Sequence, residues 1–149
     1  MRVVSLRVLS MLLCSVALLF TAVLSATQLS IEPGQIRMPM PGRTVTAAYL
    51  TIYNQQQQAV TLIAASSPAF ERVEIHTHLH QDGVMRMVRL DKLDLAAEQS
   101  VTFQPGGLHL MLFNPQQELT ESLKIPLTLE FADGQTLHTE LPVVAMPRR

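Results

Sequence analysis

The sequence predicts an all-β domain, a Greek-key sandwich or partly closed barrel. Three observations carry that reading. Short runs rich in β-branched and aromatic residues recur along the chain, and turn-forming residues separate them. No stretch shows the roughly 3.6-residue periodicity of an amphipathic helix.

Residues 44–53 (TVTAAYLTIY) form the first such run, ended by Asn54 and the polar turn 55–58. Residues 60–64 read as the returning strand, and Ser66-Ser67-Pro68 breaks the chain. Residues 72–76 (RVEIH) form the next strand, and 84–90 (VMRMVRL) follows after Asp82-Gly83, a hairpin dipeptide. Residues 100–103 and 108–113 (LHLMLF) flank the tight turn Pro105-Gly106-Gly107. Residues 123–131 alternate cleanly, with Leu123, Ile125, Leu127, Leu129 and Phe131 on one side, and Asp133-Gly134 turns them into 137–144. About seven short strands at this spacing suggest a sandwich or small barrel. No internal repeat is visible.

The first residues stand apart. Arg2 and Arg7 precede an uncharged apolar run, residues 8–24, which leads into Ser25-Ala26 and then polar residues. That order reads as a secretory signal peptide, residues 1–26, with a mature domain at 27–149 exported to the periplasm. An uncleaved anchor is the other reading, since the run nears the lower length limit of a spanning helix. The single cysteine, Cys14, lies within this segment without the small residues of a lipoprotein signal before it. A mature chain from residue 27 has no cysteine, and an ordinary hydrophobic core must hold it together.

The formal net charge is -1, and no basic patch points to nucleic acid. No second long apolar run follows residue 24, so the mature form is not expected to span a membrane. There is no nucleophile motif or glycine-rich phosphate loop, and the carboxylates form no recognisable acid/base pair. An enzyme is not expected.

Successive side chains of a strand point to opposite faces. In Leu108-His109-Leu110-Met111-Leu112 the leucines form one row, and His109 and Met111 the other. In Val73-Glu74-Ile75-His76 the histidine lies across from the aliphatics, and Met85 and Met87 alternate against Val88 and Leu90. Each time the histidine or methionine is off the aliphatic side. Neutral thioethers favour Cu(I), which imidazole also binds. Zinc prefers cysteine, more histidine or carboxylate, and magnesium and calcium want oxygen. A lone strand methionine usually fills gaps in a core; four such residues together point to a metal.

His76, ten residues, Met87, twenty-one residues, His109, one residue, Met111 resembles the H(M)-x10-M-x21-H-x-M signature of the periplasmic PCu(A)C copper chaperones. Gly83-Val84-Met85 and the stretch Pro105-Gly106-Gly107-Leu108-His109-Leu110-Met111 resemble the same family, and the likeness runs from about Thr46 to Phe131. The resemblance implies a cupredoxin-like Greek-key fold and a Cu(I) site at His76, Met87, His109 and Met111. It also implies copper delivery towards the CuA centre of cytochrome c oxidase subunit II or to a Sco-type partner. The optional Met after the first His is Thr77 here, and only Met146 stands where some relatives carry a Met- and His-rich tail.

Other positions stay open. His78 and His80 continue from His76 at every second position, as a secondary Cu(II) site, an aid to hand-off, or polar decoration of a hairpin. Met85 is a spare thioether or packing beside the site. Met38 and Met40, in a proline-held segment, lie over the metal or over the core. His138 reads as part of a solvated face. Two rival functions remain: a blue-copper protein, which needs a cysteine thiolate, and a metal-free β-sandwich that binds partners at its sheet edges.

Overall fold

The computed structural model describes residues 28–145. The proposed signal peptide and Met146 lie outside the described residues. Ten strands follow one another: β1 (Leu29–Arg37), β2 (Val45–Asn54), β3 (Val60–Ser66), β4 (Phe70–Gln81), β5 (Val84–Leu90), β6 (Leu93–Leu95), β7 (Gln99–Phe103), β8 (His109–Pro115), β9 (Lys124–Phe131) and β10 (Thr136–Val144). Among the described residues there is no helix, so none is long and apolar enough to cross a membrane.

The strands lie in the order β5-β4-β8-β2-β1-β10-β9-β3-β6, with β7 beside β2. β1 passes from one layer to the other through a short parallel pairing with β10, Ile36 opposite Val143 and Arg37 opposite Val144. The long β2 serves two partners along one edge: Val45 to Ala48 pair with β8, and Leu50 to Asn54 with β7. The turn at Pro105-Gly106-Gly107 therefore sets β7 and β8 end to end, and β8 emerges beside β4.

The alternation seen in the sequence becomes the two sides of each sheet. Ala48, Leu50 and Ile52 of β2, Ile75 of β4, and Leu110 and Leu112 of β8 are buried. They join one core with Leu62, Ile125, Leu127, Leu129, Phe131 and Leu141 from the other layer. Each fully buried aliphatic side chain contributes about 1.5–3 kcal/mol by leaving water, and this core has no disulfide to help it.

Two strands were not legible as such. β1 carries Pro33-Gly34, residues that weaken a strand reading, and the pairing with β2 shifts register between Pro33 and Gln35. A Cβ at Gly34 would collide with the backbone carbonyl of Tyr49, so the bulge needs glycine. β6 has three residues, too few for a periodic signal. The predicted hairpin at Asp82-Gly83 is present: both residues have positive φ (52° and 73°), as a two-residue type I′ turn requires, and Gln81 pairs with Val84.

Asn54, which the sequence marks merely as a strand end, is 1% exposed. Its side-chain amide donates to the carbonyls of Gln58, Leu95 and Ala96, and its Oδ1 accepts from the Gln56 backbone N–H. One side chain thereby ties the β2–β3 turn to the end of β6. Replacing Asn54 with Ala strands these groups, and the expected loss is about 2–4 kcal/mol. Urea denaturation of the metal-free protein measures it.

Candidate metal centre

The predicted residues come together on the outer face of the β5-β4-β8-β2 layer. His76 of β4 pairs with His109 of β8, and Glu74 with Met111. On the other side of β4, His78 pairs with Met87 of β5. Because the core side of these strands is filled by Ile75, Leu110 and Leu112, the strand period leaves the histidines and methionines across from it.

His109 Nε2 lies 3.2 Å from the Met87 sulfur. The His76 and His109 ring centroids are 5.9 Å apart. Met111 shares the face with His109 and lines the adjoining cavity with it. All four sequence candidates thus stand in one neighbourhood, drawn from three strands. Their exposure is graded: His109 is 6% exposed and Met87 50%.

The hydrogen bonds set the ring nitrogens. His109 Nδ1 donates to the Gly107 carbonyl at 3.0 Å in the neutral tautomer, which leaves Nε2 with its lone pair facing Met87. His76 Nε2 donates to Glu74 Oε2 at 2.8 Å, which leaves Nδ1 with the lone pair; that atom is buried and has no hydrogen-bond partner. A carbonyl or carboxylate behind the imidazole is the usual support of a metal-binding histidine, because it selects the tautomer and raises the basicity of the other nitrogen. Glu74 is itself fixed by Arg72 at 2.7 Å and Arg89 at 3.4 Å. The hydrogen bond from His76, then those of the arginines, holds its carboxyl below the usual range despite partial burial.

Sequence reasoning gave Glu74 no role beyond its place in the strand Val73-Glu74-Ile75-His76. Its position two residues before His76, on the same face of one strand, was the available signal. His78 was left open, and its ring stacks on that of His109 with centroids 5.1 Å apart. His80 pairs with Met85 farther out on the hairpin, where both are exposed. Met38 packs against the core and lines the cavity beside His109, together with Met40. His138 is exposed and its Nδ1 lies 3.0 Å from the Thr128 hydroxyl, away from these residues.

Among the described residues, no group of three or more His, Cys, Asp or Glu is arranged to hold a metal ion. Two imidazoles and two thioethers form a neutral, soft set, which fits a monovalent soft cation and not a hard divalent one.

Burial, more than any other cause, pushes the His109 imidazole below the ordinary histidine pKa, and the nearby His78 and His76 act in the same direction; the bond to Gly107 opposes them. The unfolded chain then takes up the proton first as pH falls. Stability associated with His109 is full above about pH 6.5 and is lost as pH drops from there towards the depressed folded value. His109→Gln should flatten that decline, as read by denaturation of the metal-free protein at pH 7.5 and at steps below 6.5.

A family model described as "Putative lipoprotein LpqE-like" matches residues 29–143. An uncharacterized protein of Rickettsia prowazekii is 30% identical over 90 residues, which cover 60% of this chain and 50% of that protein. A Leifsonia xyli protein described as a "Putative lipoprotein" is 28% identical over 103 residues, covering 68% of this chain and 62% of that protein. The chain thus spans about half the length of the first of these relatives and under two thirds of the second. Among solved structures, the copper-bound PCuAC domain from PmoF2 superposes with a TM-score of 0.66 at 24% identity, covering 80% of this chain and 94% of that one. That likeness shows the fold. Apo-DR1885 from Deinococcus radiodurans gives a TM-score of 0.62 at 26% identity, covering 82% of each chain. Its CuI form gives 0.57 at 25%, covering 78% and 75%. The fold is cupredoxin-like, and the chain belongs to the LpqE-like family, a family of PCuAC type.

Proposed function

We propose that this protein is a Cu(I) metallochaperone of the cell envelope, with His76, Met87, His109 and Met111 as the ligands of its cargo. The observation that carries the reading is the 3.2 Å approach of the His109 lone-pair nitrogen to the Met87 sulfur, beside His76 and Met111 on one sheet face. Copper-bound relatives of the same fold support it. The uncharged run at residues 8–24, together with relatives described as lipoproteins, supports export to the periplasm.

The chemistry suits a carrier. In an oxidising compartment thiolates are prone to pair as disulfides, whereas thioethers stay available and carry no proton to compete with the metal. The graded exposure gives exchange a direction. Met87, half exposed on an edge strand, is the ligand an incoming partner displaces first, while His109, buried and anchored to Gly107, holds the ion last. The acceptor that the resemblance implies is the CuA centre of cytochrome c oxidase or a Sco-type protein. A blue-copper site needs a cysteine thiolate, and none stands among the described residues, since the single cysteine, Cys14, falls within the proposed signal peptide.

Competition with a Cu(I) chelator tests the assignment. Loss of the outer support in Glu74→Ala should weaken Cu(I) binding about 10- to 100-fold, and His109→Ala or Met111→Ala should weaken it more. Unchanged affinity in both ligand variants removes these residues as the site. A metal-free binding module, the rival reading, shows no thermal shift with Cu(I). A binder gains about 2.7 kcal/mol when free ion stands at 100 times its dissociation constant.

A further inference from the structure

Of the methionines and histidines that the four residues above leave unused, the fold gathers Met38, Met40 and His78 at one cavity. It has a volume of about 240 Å³ and lies against β2, β4 and β8, beside the first site. Met38 and Met40 line it from the connection between β1 and β2, His78 from β4, and Met111 and His109 from β8. No carboxylate lines it.

The connection that brings the two methionines is held in place. The Met38 backbone N–H donates to the Val144 carbonyl at 2.8 Å, and the Arg43 N–H closes a turn onto the Met40 carbonyl at 2.9 Å. The Thr46 hydroxyl donates to the Arg37 carbonyl, and Pro39 and Pro41 restrict the backbone between these ties. Two thioethers separated by one proline are thus presented by a braced segment and not by a free loop.

His78 supplies an independent sign of a ligand. Its Nδ1 is buried and has no hydrogen-bond partner, although its ring lines the cavity. A buried ring nitrogen without a partner forfeits hydration for nothing, and a metal bond would repay it. Packing explains part of Met38, which touches the core. It does not explain Met40, which is 54% exposed.

We propose that this cavity is a second Cu(I)-binding subsite, in which the thioethers of Met38 and Met40 and the imidazole of His78 hold one ion beside the first. The donors are neutral and soft, the combination that selects monovalent copper. Arg37 and Arg43 also line the cavity. Their charges repel any cation, and a divalent one twice as strongly as a monovalent one, which favours Cu(I) over Cu(II). The subsite goes beyond the carrier function: with the His78 ring stacked on His109, an ion leaving the first site has a second set of soft donors within reach.

The full chain is loaded with excess Cu(I), desalted against a weak chelator and analysed for metal. The expected result is two Cu(I) per chain. Met38→Leu/Met40→Leu, which conserves side-chain volume, and His78→Ala should each hold one, with the tight site unchanged in chelator competition. His109→Ala should lose the tight ion and keep the weaker one. The methyl NMR signals of Met38 and Met40 should move only with the second equivalent. One Cu(I) per wild-type chain, or two in the Leu/Leu variant, overturns the subsite and leaves the first site standing. No Cu(I) at all removes both.

Discussion

The pairing of His76 with His109 across β4 and β8 is the constraint on which the rest of the structure depends. The same register that sets these rings side by side sets Ile75 against Leu110 on the opposite face, where both are buried. A slip of one residue would turn the aliphatics outwards and drive imidazole and thioether into the core. Core and candidate site are thus two readings of one alignment. The hydrophobic free energy that holds the sandwich together also holds the donors in register. No separate device has to position the backbone of the site, and only the side chains need tuning.

That tuning is electrostatic and local. The Gly107 carbonyl and the Glu74 carboxylate each accept a hydrogen bond from one ring N–H, of His109 and His76 respectively, so that the other nitrogen of each imidazole keeps a lone pair for another partner. Two arginines orient Glu74, and the bond from His76 followed by those arginines keeps it ionised. Burial disfavours the protonated form of His109, which keeps the nitrogen available to a metal where an exposed histidine would already be charged. The methionines need no such support, since a thioether has no proton to lose. In the proposed carrier, this division of labour would leave firm imidazole anchors and looser sulfur contacts, with Met87 on the edge strand the most exposed of them.

The framework shows the same economy. Asn54 is a polar group inside the fold whose amide is fully engaged, and it couples a turn to a short edge strand that could not hold its place by burial alone. The bulge at Pro33-Gly34 lets β1 pass close to Tyr49 and then reach β10, which joins the two layers. Past that junction the chain continues into the braced Met38–Met40 segment. The position of these methionines over the cavity is therefore a consequence of how the sandwich is closed.

The sequence by itself determined the all-β class, most strands, the Asp82-Gly83 turn and the face on which His76, Met87, His109 and Met111 stand. All of these follow from a period of two and from turn chemistry, which are local. What only the tertiary structure decided is non-local. β1 was hidden by a Pro-Gly bulge whose purpose is a contact with Tyr49, a residue on the neighbouring strand. The role of Glu74 depends on which ring nitrogen it meets, and the gathering of Met38 and Met40 with His78 depends on how the connection from β1 crosses the face of β2. Alternation tells which way a side chain points; it cannot tell which strand lies beside it, because that choice is made by the packing of the whole core.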